Sequence, residues 1–112
     1  MKKDYSPSGN GRIIYNVTIK VAPSIAAQWL SWLLNDHIPE VMSTSCFTDH
    51  RVLKLLDIDE EEGTTYVIQY SACAMEDYTR YLKEHPDNLR KKSFDKWGDN
   101  FIAFRTLMEV VQ

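Results

Sequence analysis

His37 is the side chain best placed in this sequence to move a proton. It lies in the run Asp36-His37-Ile38-Pro39-Glu40, two residues before a proline that removes a helical hydrogen-bond donor. Free imidazole titrates close to neutrality, so a histidine facing a gap lined by Tyr15, Tyr70 and Trp29 can act as a general base on a small substrate. The competing reading is a neutral core imidazole that donates to a carbonyl freed near the proline. Arg105 is the second candidate, set in the apolar run Phe101-Ile102-Ala103-Phe104-Arg105-Thr106-Leu107. A covered guanidinium must find an anion, because an unpaired buried charge costs about 3–5 kcal/mol. Glu109 or a nearby carbonyl meets that need structurally. A ligand carboxylate or phosphate, oriented by Gln69 and Asn16, meets it functionally.

Other chemistries lack their residues. His37 and Glu40 offer two metal ligands at i, i+3, but no second ExxH or HxxxH exists to complete a site, so no metal and no cofactor is expected. Gly9, Gly11, Gly63 and Gly98 are the only glycines, and none opens a strand-to-helix phosphate loop. No GxSxG marks a serine nucleophile. The acidic run Asp57-Ile58-Asp59-Glu60-Glu61-Glu62-Gly63 has neither the alternating ligands nor the central glycine of a calcium loop, and reads as a solvated turn. Arg90-Lys91-Lys92 and Lys96 lie beside Asp87 and Asp95, as on a wet helix face. Cys46 and Cys73 show no CxxC spacing and read as two buried free thiols of a cytoplasmic protein.

The elements that must position these groups follow from periodicity. Residues 12–21 alternate, with Ile13, Tyr15, Val17, Ile19 and Val21 on one face and Ile14, Asn16, Thr18 and Lys20 on the other. Pro23-Ser24 opens a helix with Ser24 as N-cap, and Ala26, Leu30, Leu33, Leu34, His37 and Val41 share one arc of it. Pro39 predicts a kink near residues 36–38. Residues 46–58 and 64–73 read as strands flanking the acidic turn, where Gly63 supplies a permissive backbone. A second helix over 75–85 carries Met75, Tyr78, Leu82 and His85 on one stripe. Pro86 ends it and opens a further helical segment to Lys96, with Gly98 past its end; residues 100–111 form the last strand.

The order strand, helix, strand, strand, helix, strand predicts an α+β, ferredoxin-like βαββαβ domain over residues 12–112, preceded by a flexible arm over 1–11. Both helices then cover one face of a four-stranded antiparallel sheet. That face takes Tyr15, Val17, Ile19, Tyr66, Ile68, Tyr70, Phe104, Met108 and Val110. The opposite face takes Ile14, Val67, Phe101, Ala103 and Leu107, together with Asn16, Thr18, Gln69, Ser71, Arg105 and Glu109. So much apolar surface on an uncovered sheet predicts a homodimer packed sheet to sheet. Thirteen Lys and Arg against sixteen Asp and Glu give a net charge of −3, which argues against a nucleic-acid or anionic-membrane binder. The strongest apolar stretch, residues 25–34, is too short to span a bilayer, and no apolar segment follows Lys2-Lys3 to make a secretory signal.

Several strings together resemble a small bacterial family catalogued as a domain of unknown function. They are Ile14-Tyr15-Asn16-Val17-Thr18, Trp29-Leu30-x-Trp32, His37-Ile38-Pro39-Glu40-Val41-Met42, Thr64-Thr65-Tyr66-Val67-Ile68-Gln69-Tyr70, Tyr78-x-x-Tyr81-Leu82-x-Glu84-His85, Leu89-Arg90 and Phe101-x-Ala103-Phe104-Arg105-Thr106. The likeness runs from about Arg12 to Val111. It implies the fold and supplies no catalytic residues. The element order is also similar to that of dimeric α/β-barrel proteins, which include cofactor-free monooxygenases, isomerases and stress-response domains. The residues themselves lead to a homodimer that binds a small anionic or aromatic molecule, either at the inter-sheet face around Arg105 with Gln69 and Asn16, or in the helix–sheet gap near His37 lined by Tyr15, Tyr70 and Trp29. Two alternatives stand beside this: a cofactor-independent enzyme with His37 as base and Arg105 or Tyr70 holding the substrate, and a protein-interaction module with a merely structural polar interior.

Overall fold

The computed structural model describes residues 11–85 and 88–112, without the side chains of 88–90. The expected arm, residues 1–11, lies outside the described residues apart from Gly11, as does Pro86. Four strands, β1 (Ile13–Val21), β2 (Asp49–Lys54), β3 (Thr64–Ala72) and β4 (Phe101–Glu109), form one antiparallel sheet in the order β2-β3-β1-β4. The crossovers are a long helix, α1 (Ala26–Trp32) continuing through a π turn (Leu33–His37) into α2 (Ile38–Met42), and the pair α3 (Met75–Glu84) and α4 (Asn88–Trp97). This is the predicted ferredoxin-like α+β fold. Strand β2 begins three residues later than its pattern suggests, because Thr44 and Ser45 donate to the Val41 and Met42 carbonyls at the end of α2 and the Cys46 amide donates to the Thr44 hydroxyl.

Alternation drives the sheet as expected in its two central strands. Tyr15, Val17 and Val21 of β1 pair with Tyr70, Ile68 and Thr64 of β3, and the helices cover this face. Trp29, Leu33, Ile38 and Val41 fill the layer above it. The turn between β2 and β3 closes on Gly63, whose φ of 138° and close approach to the Val21 carbonyl leave no room for a Cβ.

Two details of the first helix differ from expectation. Ser24 does not cap it, since Ile25 and Ala26 donate to the carbonyls of Ala22 and Pro23 in a preceding turn and the helix starts at Ala26. The interruption before Pro39 is a π turn: the Ile38 amide donates to the Leu33 carbonyl, five residues back. Its extra residue spaces the buried positions Leu33 and Ile38 by five, which turns the inward arc towards Trp29 and leaves Leu34 exposed.

Strand β4 corrects the sequence reading most. Val17 pairs with Arg105, Ile19 with Ala103 and Val21 with Phe101, so these β4 residues and Leu107 face the helices. Phe104, Met108 and Val110 lie on the opposite side. Both faces of this strand carry apolar residues, so alternation alone does not tell which one turns inward, and a one-residue slip exchanges them all. Cys46 is buried and Cys73 exposed, both as free thiols, which corrects the expectation of two buried ones. No helix among the described residues is long and apolar enough to cross a membrane.

Candidate functional site

The helix-facing side of the sheet and the helices enclose a cavity of about 50 Å³. Its floor is β1, β3 and β4, contributing Tyr15, Ile68, Tyr70 and Arg105. Its roof is the long helix, contributing Trp29, Trp32, Leu33 and His37, and α3 and α4 close it with Tyr81 and Ser93.

His37 reaches this space because the π turn ends on it. The ring stacks on Trp32, with centroids 4.8 Å apart and planes at 24°. Burial pushes its pKa down to about 4, the nearby Glu40 carboxylate acts against that, and Arg105 adds to it, so the imidazole is neutral at physiological pH. Glu40 itself pairs with Lys92 of α4 at 3.0 Å rather than turning to a metal. Among the described residues no group of three or more His, Cys, Asp or Glu converges as a metal site.

Arg105 enters from β4, and its Nε–H donates to the Tyr15 hydroxyl at 3.1 Å. Tyr15 stacks in turn near Tyr70 at 6.0 Å and Phe47 at 6.1 Å between centroids, and Tyr81 meets it tilted at 5.9 Å. Burial, with Tyr81 and Tyr15 close by, pushes the Tyr70 phenol well above its usual range, so it stays a neutral O–H. Trp29 lies stacked on Tyr66 and is fully covered. Among the described residues, none lining the cavity is a carboxylate.

His37, Arg105, Tyr15, Tyr70 and Trp29 are thus brought together. Asn16 and Gln69 are not. They lie on the other side of the sheet, where Gln69 accepts from Arg51 at 2.9 Å and donates to Asn16 at 3.1 Å, and Asn16 donates to Thr18 at 3.2 Å. Their expected role beside Arg105 fails for the reason that moved Arg105: β4 presents its other face. Glu109 faces the helices as well, two pairs of residues along the strand from Arg105. Sequence reasoning missed Tyr81 and Ser93 as lining residues. Tyr81 has a usable signal, because Tyr78, Tyr81 and His85 define the inward arc of α3 better than Met75 and Leu82, which are exposed. Ser93 has none, lying on a mostly polar helix.

Residues 12–111 match the sequence model of a family described as "Domain of unknown function (DUF4286)", in line with the resemblance seen in the motifs. A comparison with curated proteins gives no match. Among solved structures the chain is similar to a dimeric ferredoxin-like protein from an uncultured marine organism, with a TM-score of 0.70 at 10% identity over 91% of this chain and 97% of that one. It is also similar to an EthD-like protein from Ralstonia eutropha JMP134, with a TM-score of 0.66 at 14% identity over 92% and 95%. A third is the cofactor-independent oxygenase SnoaB from Streptomyces nogalater, with a TM-score of 0.62 at 14% identity over 89% and 94%. At these identities the likeness establishes the fold.

Proposed function

The chain belongs to that family of unknown function, and we propose that it is a homodimer that binds a small anionic molecule in the cavity between helices and sheet. One observation carries the reading: a guanidinium, two tyrosine residues and a neutral imidazole line one space in which, among the described residues, no carboxylate takes part. Such a site has a cation and several donors and lacks an anion of its own. A cytoplasmic setting, where Cys46 and Cys73 stay thiols, goes with it.

The second reading, a cofactor-independent enzyme with His37 as base, is favoured by the neutral imidazole beside Arg105. A base must be unprotonated to act, and a guanidinium nearby would stabilise the anion that proton removal leaves. That one fold neighbour is a cofactor-independent oxygenase supports this reading by analogy alone.

A native mass spectrum of the protein as purified from cells tests both parts. The expected result is a mass of two chains with a reproducible small adduct, which Arg105→Gln loses and His37→Gln keeps. A bare dimer removes the ligand reading, and a monomer removes the dimer. If the purified adduct is converted by the wild type and left unchanged by His37→Gln, the enzyme reading replaces simple binding.

A further inference from the structure

The cavity is more specific than "anionic or aromatic". We propose that it takes the planar, singly charged oxyanion head of a short carboxylate, held by the Arg105 guanidinium and by the Tyr15 and Tyr70 hydroxyls as donors. This rests on the ligand-binding reading above and narrows it.

The donor count comes from the bonds already made. A phenol has one proton to give and two lone pairs to receive with. Arg105 Nε–H fills one of the Tyr15 lone pairs at 3.1 Å, so the Tyr15 proton is turned away from the guanidinium. Tyr70 is only 3% exposed and lines the same cavity, and its hydroxyl has one proton to give as well. Two phenolic protons and the terminal guanidinium N–H groups can therefore serve one acceptor placed in the cavity. An oxyanion placed there would collect several charge-assisted hydrogen bonds at once.

Charge sets the valence of the ligand. Among the described residues Arg105 is the one cationic side chain in the lining, since His37 is neutral and neither Lys92 nor Lys96 belongs to it. One fixed positive charge matches a monoanion, whereas a phosphate dianion would need a second. Size then separates the head from the body. A dry cavity of roughly 150 Å³ is what benzene occupies, and this one measures about 50 Å³. An aromatic ring does not fit beside the rings that already form its walls, while a carboxylate does. Arg105 is an exposed residue, so a ligand longer than a few atoms extends past it towards solvent.

Two-dimensional NMR titration of the isotope-labelled protein, at constant ionic strength, reads the site through the backbone amides of Tyr15 and Tyr70. The probes are acetate, its neutral isostere acetamide, inorganic phosphate and benzoate. Saturable shifts with acetate, with acetamide and phosphate at least about tenfold weaker, are expected. Tyr15→Phe keeps the ring and its packing but removes the proton, and should weaken acetate about tenfold. Arg105→Lys keeps the charge but loses the Nε–H that directs Tyr15, and should weaken it similarly. Acetamide binding as well as acetate, or an unchanged Kd in Tyr15→Phe, overturns the oxyanion assignment. Benzoate binding in the cavity where acetate does not overturns it too, and leaves the ligand-binding reading intact. No shift with any of the four probes overturns both.

Discussion

His37 is held neutral by its surroundings, and that has a measurable consequence for stability. In the unfolded chain an imidazole titrates near 6.5, and in the fold burial and Arg105 lower this to about 4. Between these values the unfolded state binds a proton that the folded state excludes. Stability therefore rises with pH across this window and is lost as pH falls from about 6.5 towards 4, by on the order of 3 kcal/mol. Urea unfolding at pH 7 and pH 4.5 should show that loss in the wild type and a clearly smaller one in His37→Gln. Other carboxylates contribute to both proteins, so the difference between the two profiles isolates His37. Parallel profiles would mean that the ring is not buried in its neutral form. The sequence marked His37 and Arg105 as the residues with chemistry to explain, and both line one cavity. It did not reveal that they meet, because a strand's inward face is not a property of its residues one at a time.

At the scale of elements, legibility depended on how different the two faces of each segment are. Strands β1 and β3 set large apolar rings and branched chains against Asn16, Thr18, Gln69 and Ser71, and their faces read correctly. Strand β4 offers Phe101, Ala103 and Leu107 on one side and Ile102, Phe104 and Met108 on the other, so its register was open to inversion. The π turn was legible as a disturbance, from Pro39, but not as the extra residue that brings His37 inward. Gly63 is the opposite case, a single residue whose role followed from its type. It is buried at φ 138°, with a would-be Cβ overlapping the Val21 carbonyl. Gly63→Ala forces either the backbone or the β1–β3 pairing to move, and should cost roughly 2–4 kcal/mol. Chemical denaturation reads this as a lower midpoint at an unchanged slope. A cost under about 0.5 kcal/mol, the range of ordinary surface changes, would show that the turn relaxes freely.

For the whole molecule, the question is what covers the side of the sheet that the helices leave bare. Its residues form rows across the strands: Leu53, Val67, Thr18 and Phe104 in one, Arg51, Gln69, Asn16 and Thr106 in the next. Apart from Thr18, the first row and its neighbour Ile102 are apolar, with Phe104 66% and Ile102 58% exposed in the single chain. The second is a bonded polar ladder. A second copy turned on a two-fold axis would set apolar row against apolar row and keep the ladder satisfied within each sheet, which hydrophobic burial favours. The slip in β4 changes which residues carry this prediction, from Phe101 and Leu107 to Ile102 and Phe104, while the reason for a dimer is unaltered. Phe104→Asp would place a carboxylate in the interface twice, once from each protomer, with no cation of the apolar row to meet it. At several kcal/mol for a buried unpaired charge, dissociation should become at least about a hundredfold easier, since each 1.4 kcal/mol is roughly tenfold. Sedimentation velocity should show the wild type as a dimer and Phe104→Asp as a monomer, with the same far-ultraviolet circular dichroism. Leu107→Ser, on the helix-covered face, should stay dimeric. If Leu107→Ser separates the protomers and Phe104→Asp does not, the interface lies elsewhere than on the bare side of the sheet.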